Sequence, residues 1–239
     1  MAMTVEQAGQ LRGLSVIIPS KSSDNLSACI KAIRQHEPGL RIIVVDDGLP
    51  GSPDCVDGLA LGLGLEDKIV MGQKPFVFAA NANIGIEAAA PDDVILLNDD
   101  ALLTTPGGFT AMRDEWLRSY GYGIIGAVTN LTGQPLQRPG GTDGIREVPH
   151  IAYICVLLPR RTLNSIGPLD ERYCLDYGVE DRDHCEAATR AGLKIGVYDP
   201  CFVDHSKLTS TFRGRPESPR SFARNYELFK QKWGVYDQR

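Results

Sequence analysis

The sequence predicts an α/β domain built on a largely parallel sheet. Three observations carry this reading. Short, almost unbroken apolar runs recur through the first hundred residues: LSVIIP (14–19), RIIVVDDG (41–48), KIVMG (68–72) and DVILLNDD (93–100). Helix-like stretches lie between them, and alternation of strand and helix implies parallel strands joined by right-handed crossovers. Two of the runs end on paired carboxylates, Asp46-Asp47 and Asp99-Asp100, at the strand ends where α/β sheets keep their ligands.

Taken in order, LSVIIP is β-branched, apolar and stopped by Pro19, which reads as a buried strand. A helix follows it. Ser23 or Asp24 is the expected cap, Leu26, Cys29, Ile30 and Ile33 fall on one face, and Pro38-Gly39 ends it. RIIVVDDG is the second strand, KIVMG a weaker third and DVILLNDD the fourth, with a helix over NANIGIEAAA before it. Such near-continuous apolar strands suit a sheet covered on both faces. GIIGAVTN, AYICVLLPR and KIGVYDP are further strands, and a helix is expected near 180–191. Residues 130–150 carry Gly and Pro with no apolar period. A stretch that long in a compact domain is functional or disordered. Trp116 and Tyr120, four apart, are expected in the core.

The bulk numbers fit one ordinary globular domain. The chain has 239 residues, is 43% hydrophobic and 23% charged, and carries a net charge of −5. Its six cysteines form no C-x-x-C pair and read as buried thiols in a reducing compartment. The first residues, MAMTVEQAGQLRG, are polar, and no run approaches the roughly 20 apolar residues of a membrane span. A cytoplasmic protein is therefore expected, and NLT at Asn130 carries no glycan there. Residues 206–239 hold eight Lys or Arg against three Asp or Glu. This asymmetry points to an anionic partner or to a location at the inner membrane surface. Phe222, Tyr226 and Phe229 within it share one face of a helix, so the tail also packs.

One acid pair after a strand is accounted for by a surface turn. Two pairs at one sheet edge, able to share a cleft, suggest a cation or polar-ligand site. GLALGLG (58–64) lacks the G-x-G-x-x-G spacing of a dinucleotide loop, so that reading is rejected. His150 and His184 have no supporting context and read as structural, and Cys155 as a core thiol.

Further stretches join the pattern. IGPLDERY (166–173), YGVEDRDHCEAATRAGLKIGVYDP (177–200) and CFVDHSKLTSTFRG (201–214) stand in order after SVIIPSK, IIVVDDG, FAANANIGIEAA and LLNDD. Together these resemble the family-2 nucleotide-sugar glycosyltransferases, and are most similar to bacterial rhamnosyltransferase-like members. The resemblance runs from about residue 14 to about residue 212. It implies the GT-A fold: a single Rossmann-like nucleotide-binding sheet merged with a smaller acceptor-side sheet. One domain over 1–239 would hold a donor-binding half (about 14–100), an acceptor and catalytic half (about 101–212) and the basic tail (about 206–239).

The resemblance also implies roles. Pro19, Ser20, Asp46 and Asp47 would form the pocket for base and ribose. NDD occupies the place of the family's D-x-D element, so Asn98 and Asp99 would bind the donor and Asp99 and Asp100 a divalent cation. Asn98 stands where an Asp is usual, which leaves one fewer charge. Asn81 and Asn83 would lie close to the nucleotide sugar. Glu180-Asp181 matches the family's ED pair, whose Asp is the base in inverting members, and His205 matches a His that completes the metal shell. Arg213 and Arg215 would meet the diphosphate or an anionic acceptor.

The chemistry asks for these groups. A departing nucleoside diphosphate gains negative charge, which a hard cation offsets. Mg²⁺ and Mn²⁺ take carboxylates and phosphates, and a His ligand favours Mn²⁺. The attacking hydroxyl must lose a proton to a positioned carboxylate. Asp181 stands at an expected helix start, where the ionised form is favoured. Attack opposite the leaving group inverts the anomeric centre. The expected activity is inverting transfer from a nucleoside-diphosphate sugar, UDP-linked first and dTDP-linked second, to a hydroxyl acceptor. An anionic glycan, a lipid-linked glycan and a nucleic acid all fit the charge of the tail. Two alternatives stay open. A nucleotidyltransferase uses similar acids but would set a Gly-rich loop where PSKSSDN stands. An inactive nucleotide-sugar-binding protein would be expected to lack Asp100, Asp181 or His205.

Overall fold

The computed structural model describes residues 13–49, 62–173, 178–208 and 218–234. Nine strands among them form one sheet. β1 (Leu14–Ser20) lies parallel between β2 (Arg41–Asp46) and β4 (Asp93–Leu97), and β3 (Lys68–Met71) extends β2 in parallel. Beyond β4 the directions change. β8 (Cys155–Leu158) runs antiparallel to both β4 and β6 (Tyr122–Thr129), and β9 (Lys194–Asp204) runs parallel to β6. The short β5 (Leu102–Leu103) and β7 (Ile145–Glu147) pair antiparallel with β9. Two reversals restore the direction of β4 in β9. The carboxyl ends of β1, β2, β4 and β9 therefore share one sheet edge.

Both sheet faces are covered, as the apolar strands require. On one face lie α1 (Ser23–His36) and α3 (Gly108–Arg118), burying Leu26, Ile30, Ile33, Phe109 and Met112 against Val16, Ile18 and Val44. On the other lie α2 (Phe78–Ala88), α4 (Arg160–Ile166) and α5 (Glu180–Arg190), burying Ala82, Ile86, Leu163 and Ala188 against Ile17, Ile43 and Val156. Each fully buried Leu or Ile contributes roughly 1.5–3 kcal/mol. Helix α2 approaches so closely that a methyl group on Gly85 would stand 2.3 Å from Ile17 Cγ2. The last helix, α6 (Ser218–Trp233), packs its Phe229 with Tyr173 and Val179.

Several local expectations change. Helix α1 is capped by Ser22, not Ser23 or Asp24: Ser22 is extended and its hydroxyl accepts from the Asn25 N–H. Asp24 instead sits in the first turn, where its charge suits the helix dipole. Trp116 is buried, but Tyr120 is 99% exposed. Helix α3 ends at Arg118 and Ser119 turns extended, so the four-residue spacing no longer puts Tyr120 on the buried face. Strand β9 continues past Pro200, which sits at a register shift between Tyr198 and Phe202 where no ladder donor is needed. Residues 130–150 contain a 3₁₀ turn over Pro135–Gln137 and β7. Buried Gln137 holds this segment, donating to the Ala127 and Ala152 carbonyls and accepting from the Ala152 N–H. The four described cysteines are buried free thiols, Cys155 among them.

Candidate active site

The site grows from the shared strand edge. Ser20 ends β1 and links its two neighbours. Its carbonyl accepts from the Asp47 N–H (2.8 Å), and its hydroxyl donates to Asp99 Oδ2 (2.6 Å). The two acid pairs are thus adjacent through Ser20, yet they differ in use. Asp46 closes the turn after β2, its Oδ1 accepting from the Gly48 and Leu49 N–H groups, each at 2.7 Å. Asp47 accepts from Asn81 Nδ2 at 3.3 Å, and burial raises its pKa against the lowering by Lys21. Asp99 and Asp100 instead border a cavity of about 630 Å³, together with Pro19 and Asn98. Burial, with the neighbouring Asp100 adding to it, raises Asp99 to about 6 against the hydrogen bond from Ser20.

Asp100 pairs with His205. His205 Nε2 stands 3.0 Å from Asp100 Oδ1, and both side chains are buried. His205 follows β9, and its backbone N–H donates to Asn130 Oδ1, which ties the ends of β6 and β9. Its Nδ1 lies 2.8 Å from the Leu131 carbonyl. A carbonyl only accepts, so Nδ1 carries a proton there. In the neutral ring, Nε2 then presents a lone pair to a carboxylate, a repulsive contact unless a proton or a cation lies between them. A fixed tautomer with Nε2 turned to a carboxylate is how a His is prepared as a metal ligand. Among the described residues no group of three or more His, Cys, Asp or Glu could hold a metal ion. The residues therefore fit a two-donor half-site, Asp100 with His205, of the kind that diphosphate oxygens and water complete.

The opposite wall is the start of α5. Gly178 and Val179 precede it, with φ of 95° and 85°. A left-handed β-branched residue is strained by roughly 1–3 kcal/mol. Burial of Val179 against Tyr173 and Phe229 holds it. The turn delivers Glu180 and Asp181 to the cavity. Burial raises the pKa of both. Glu180 is pushed up to about 8, with Asp181 adding to the effect of burial. Asp181 Oδ1 accepts from the Arg182 N–H at 2.7 Å, whereas Glu180 Oε2 is shielded with no hydrogen-bond partner among the described residues. A backbone hydrogen bond thus steadies a charge on Asp181, while the shielded Glu180 oxygen has no donor among the described residues to do so.

Two buried side chains of α5 fix this wall. Asp183 accepts from Tyr173 Oη (2.7 Å), Lys232 Nζ (2.8 Å) and Trp233 Nε1 (2.6 Å), which latches α6 onto α5. His184 Nε2 donates to the Gly167 carbonyl (3.1 Å), so its Nδ1 accepts from Tyr153 Oη (2.8 Å). Burial lowers the His184 pKa, consistent with that neutral ring. His184 is structural, as expected. His150 borders the cavity.

The sequence-derived residues thus divide. Pro19, Asn98, Asp99, Asp100, Glu180, Asp181 and His205 meet at one cavity, with Ser20 just behind Asp99. Asp46, Asp47, Asn81 and Asn83 do not line it. Asn81 is fully buried, accepting from the Gln73 N–H. Asn83 pins the loop before α5, exchanging hydrogen bonds with Leu169 and donating to Glu171. Arg213 and Arg215 lie outside the described residues. Sequence reasoning did not find Tyr153, His150 or the Asp183 latch. Asp183 had one local signal, its place beside Glu180-Asp181, but its partners are 10 to 50 residues away.

Comparison with known proteins adds to this geometry. Residues 15–132 match the family model described as Glycosyl transferase family 2. The match includes Asn98, Asp99 and Asp100 and stops before Glu180, Asp181 and His205. A Sinorhizobium fredii protein, "Uncharacterized protein y4gI", is 23% identical across 94% of the chain, which spans 28% of that protein's length. Among solved structures, GalNAc-T7 with UDP, GalNAc and Mn²⁺ aligns with a TM-score of 0.71 at 13% identity, over 91% of this chain and 48% of its own. TarS 1–349 of S. aureus in complex with UDP-GlcNAc gives 0.68 at 14% identity, over 95% and 68%. The mannosyltransferase PcManGT of Pyrobaculum calidifontis with GDP-Man and Mn²⁺ gives 0.65 at 16%, over 85% and 60%. The fold is GT-A. No helix among the described residues is long and apolar enough to cross a membrane.

Proposed function

We propose that this chain is a family-2 glycosyltransferase that moves a sugar from a nucleoside-diphosphate donor to a hydroxyl acceptor, with inversion. The observation that carries this is the cavity itself. It sets a cation half-site, Asp100 with His205, opposite a half-buried carboxylate pair at a strained helix start. One end is suited to a diphosphate and the other to a hydroxyl that must lose a proton. The family match over 15–132 and the GT-A fold support the same reading.

In this mechanism the donor enters at the carboxyl ends of β1 and β4. Pro19, Asn98 and Asp99 border the nucleoside, and Asp99 is steadied by Ser20. Asp46, Asp47, Asn81 and Asn83 act one layer back: Asn81 donates to Asp47, and Asn83 holds the loop at Leu169 that leads to α5. Asp100 and His205 would hold Mn²⁺ or Mg²⁺, which supplies electrostatic stabilisation of the leaving diphosphate. Asp181 takes the proton of the acceptor hydroxyl as it attacks. Glu180, protonated beside it, keeps a second negative charge out of the cavity. UDP-linked donors rank first, in keeping with GalNAc-T7 and TarS, and a dTDP-linked donor such as dTDP-rhamnose second. Arg213 and Arg215 in the basic tail are proposed to meet the diphosphate or an anionic group on the acceptor.

The deciding experiment is a nucleotide-sugar panel with Mn²⁺, read as release of nucleoside diphosphate. Release from one donor class, stopped by chelation, is expected. Release of inorganic pyrophosphate from a nucleoside triphosphate and a sugar phosphate would point to a nucleotidyltransferase instead. Tight nucleotide-sugar binding without any turnover would point to a binding protein.

A further inference from the structure

The cavity has an aromatic wall to which the reading above gives no role. Helix α6 carries three near-parallel rings. Phe222 and Tyr226 have centroids 6.1 Å apart and planes 7° apart, and Tyr226 and Phe229 are 6.1 Å and 10° apart. The stack runs from inside to outside: Phe229 is 2% exposed, Tyr226 half-buried and Phe222 46% exposed. Phe222 and Tyr226, the outer two, border the cavity beside Glu180 and Asp181.

This exposed ring is held in place. Phe222 lies against Gly178, where a methyl group would come within 2.9 Å of its Cδ2. One helical turn on, buried Asn225 donates to the Gly178 carbonyl at 3.0 Å. Gly178 leads directly through Val179 to Glu180 and Asp181. The rings and the carboxylates therefore share one short rigid support. The Arg182 guanidinium lies 5.4 Å from the Tyr226 ring and 5.1 Å from Phe229, which fixes the inner part of the stack.

We propose that Phe222 and Tyr226 form the acceptor platform, and that the acceptor is a glycan whose terminal pyranose lays its C–H face on Phe222 with a hydroxyl directed at Asp181. This rests on the glycosyltransferase reading of the same site. A partly exposed aromatic ring offers a flat apolar surface. A lipid chain would want an apolar channel throughout, but the lining here is mixed: Thr132, Gln134, His150 and Arg182 stand among Leu131, Ile154 and the rings. A pyranose, with a C–H face and a hydroxyl rim, matches an apolar floor with a polar edge.

Two measurements test this. Saturation-transfer NMR with a panel of methyl pyranosides reads binding without turnover. The panel donor that is hydrolysed then gives the ratio of transfer to hydrolysis. Expected are saturation of one sugar face, a loss of at least fivefold in Phe222→Ala and Phe222→Leu, and retention within twofold in Phe222→Tyr. The transfer-to-hydrolysis ratio should fall about tenfold in Phe222→Ala. Four results would overturn the platform: no methyl pyranoside saturated by the native protein, an unchanged signal in Phe222→Ala, Phe222→Leu matching Phe222→Tyr, or octyl glucoside saturated only along its alkyl chain. If no nucleotide sugar is hydrolysed, the transferase reading fails, and the NMR measurement still decides the platform by itself.

Discussion

His205 Nε2 stands 3.0 Å from Asp100 Oδ1, although the two residues are 105 positions apart in the chain. The Leu131 carbonyl holds the far side of the imidazole. That support fixes the ring so that Nε2 faces the buried carboxylate.

The first prediction follows from that contact. Asp100→Ala should weaken UDP binding in the presence of Mn²⁺ by at least the roughly 10–100-fold that follows loss of an outer partner at metal sites. Uridine binding should change little, because it has no diphosphate. Calorimetry with and without EDTA reads both. Equal losses for UDP and uridine, or full transfer activity in excess EDTA, would remove the cation from this site.

Asp181→Asn keeps the shape of the side chain and removes its basicity. Transfer should fall by roughly 10²–10⁴, while the donor binds as before, since a base acts in the transition state. A loss of no more than about tenfold, equivalent to about 1.4 kcal/mol, would move the role to Glu180.

Glu180 gives a pH signature in stability. Its pKa is raised from the ordinary 4.5 to about 8. Below about 4.5 the group is protonated in folded and unfolded chains, and its contribution is fully present. Between about 4.5 and 8 the unfolded chain releases the proton and the folded one keeps it, so stability falls as pH rises. Glu180→Gln mimics the protonated form and lacks this slope. Urea denaturation should find the variant gaining on the native protein from pH 5 to pH 8.5. A constant difference across that range would show that Glu180 titrates normally.

The latch between α5 and α6 is a matter of stability and of position. Asp183→Ala strips partners from Tyr173, Lys232 and Trp233 at once and should cost about 3 kcal/mol. Trp233→Phe removes one of these bonds and should cost about 1–2 kcal/mol. Denaturant midpoints rank the two. Equal or negligible costs would mean that α6 is held by its apolar face alone.

Much of the fold was legible because its physics is local. The centres of LSVIIP, RIIVVDDG and DVILLNDD are apolar without alternation because their strands are covered on both faces, and composition reports such burial directly. Leu26, Cys29, Ile30 and Ile33 report one helical face for the same reason. Tyr120 shows where this reasoning ends. Its spacing from Trp116 is helical, but the helix stops at Arg118, and that helix end is made by the extended backbone at Ser119.

At the site, the sequence by itself determined the chemical types: paired acids after strands, an acidic pair at a helix start, a late histidine and an aromatic face in the tail. Tertiary structure alone decided which of them meet. Two strand reversals bring the end of β9 to the end of β4, and only that topology sets His205 against Asp100. Of two similar acid pairs, it turned Asp46 inward to close a backbone turn and Asp100 outward to the cavity. It spent the amides of Asn81 and Asn83 on neighbouring loops. The reason is that residue type fixes what a group can do, while a hydrogen bond between residues dozens of positions apart is set by packing, which no local pattern encodes.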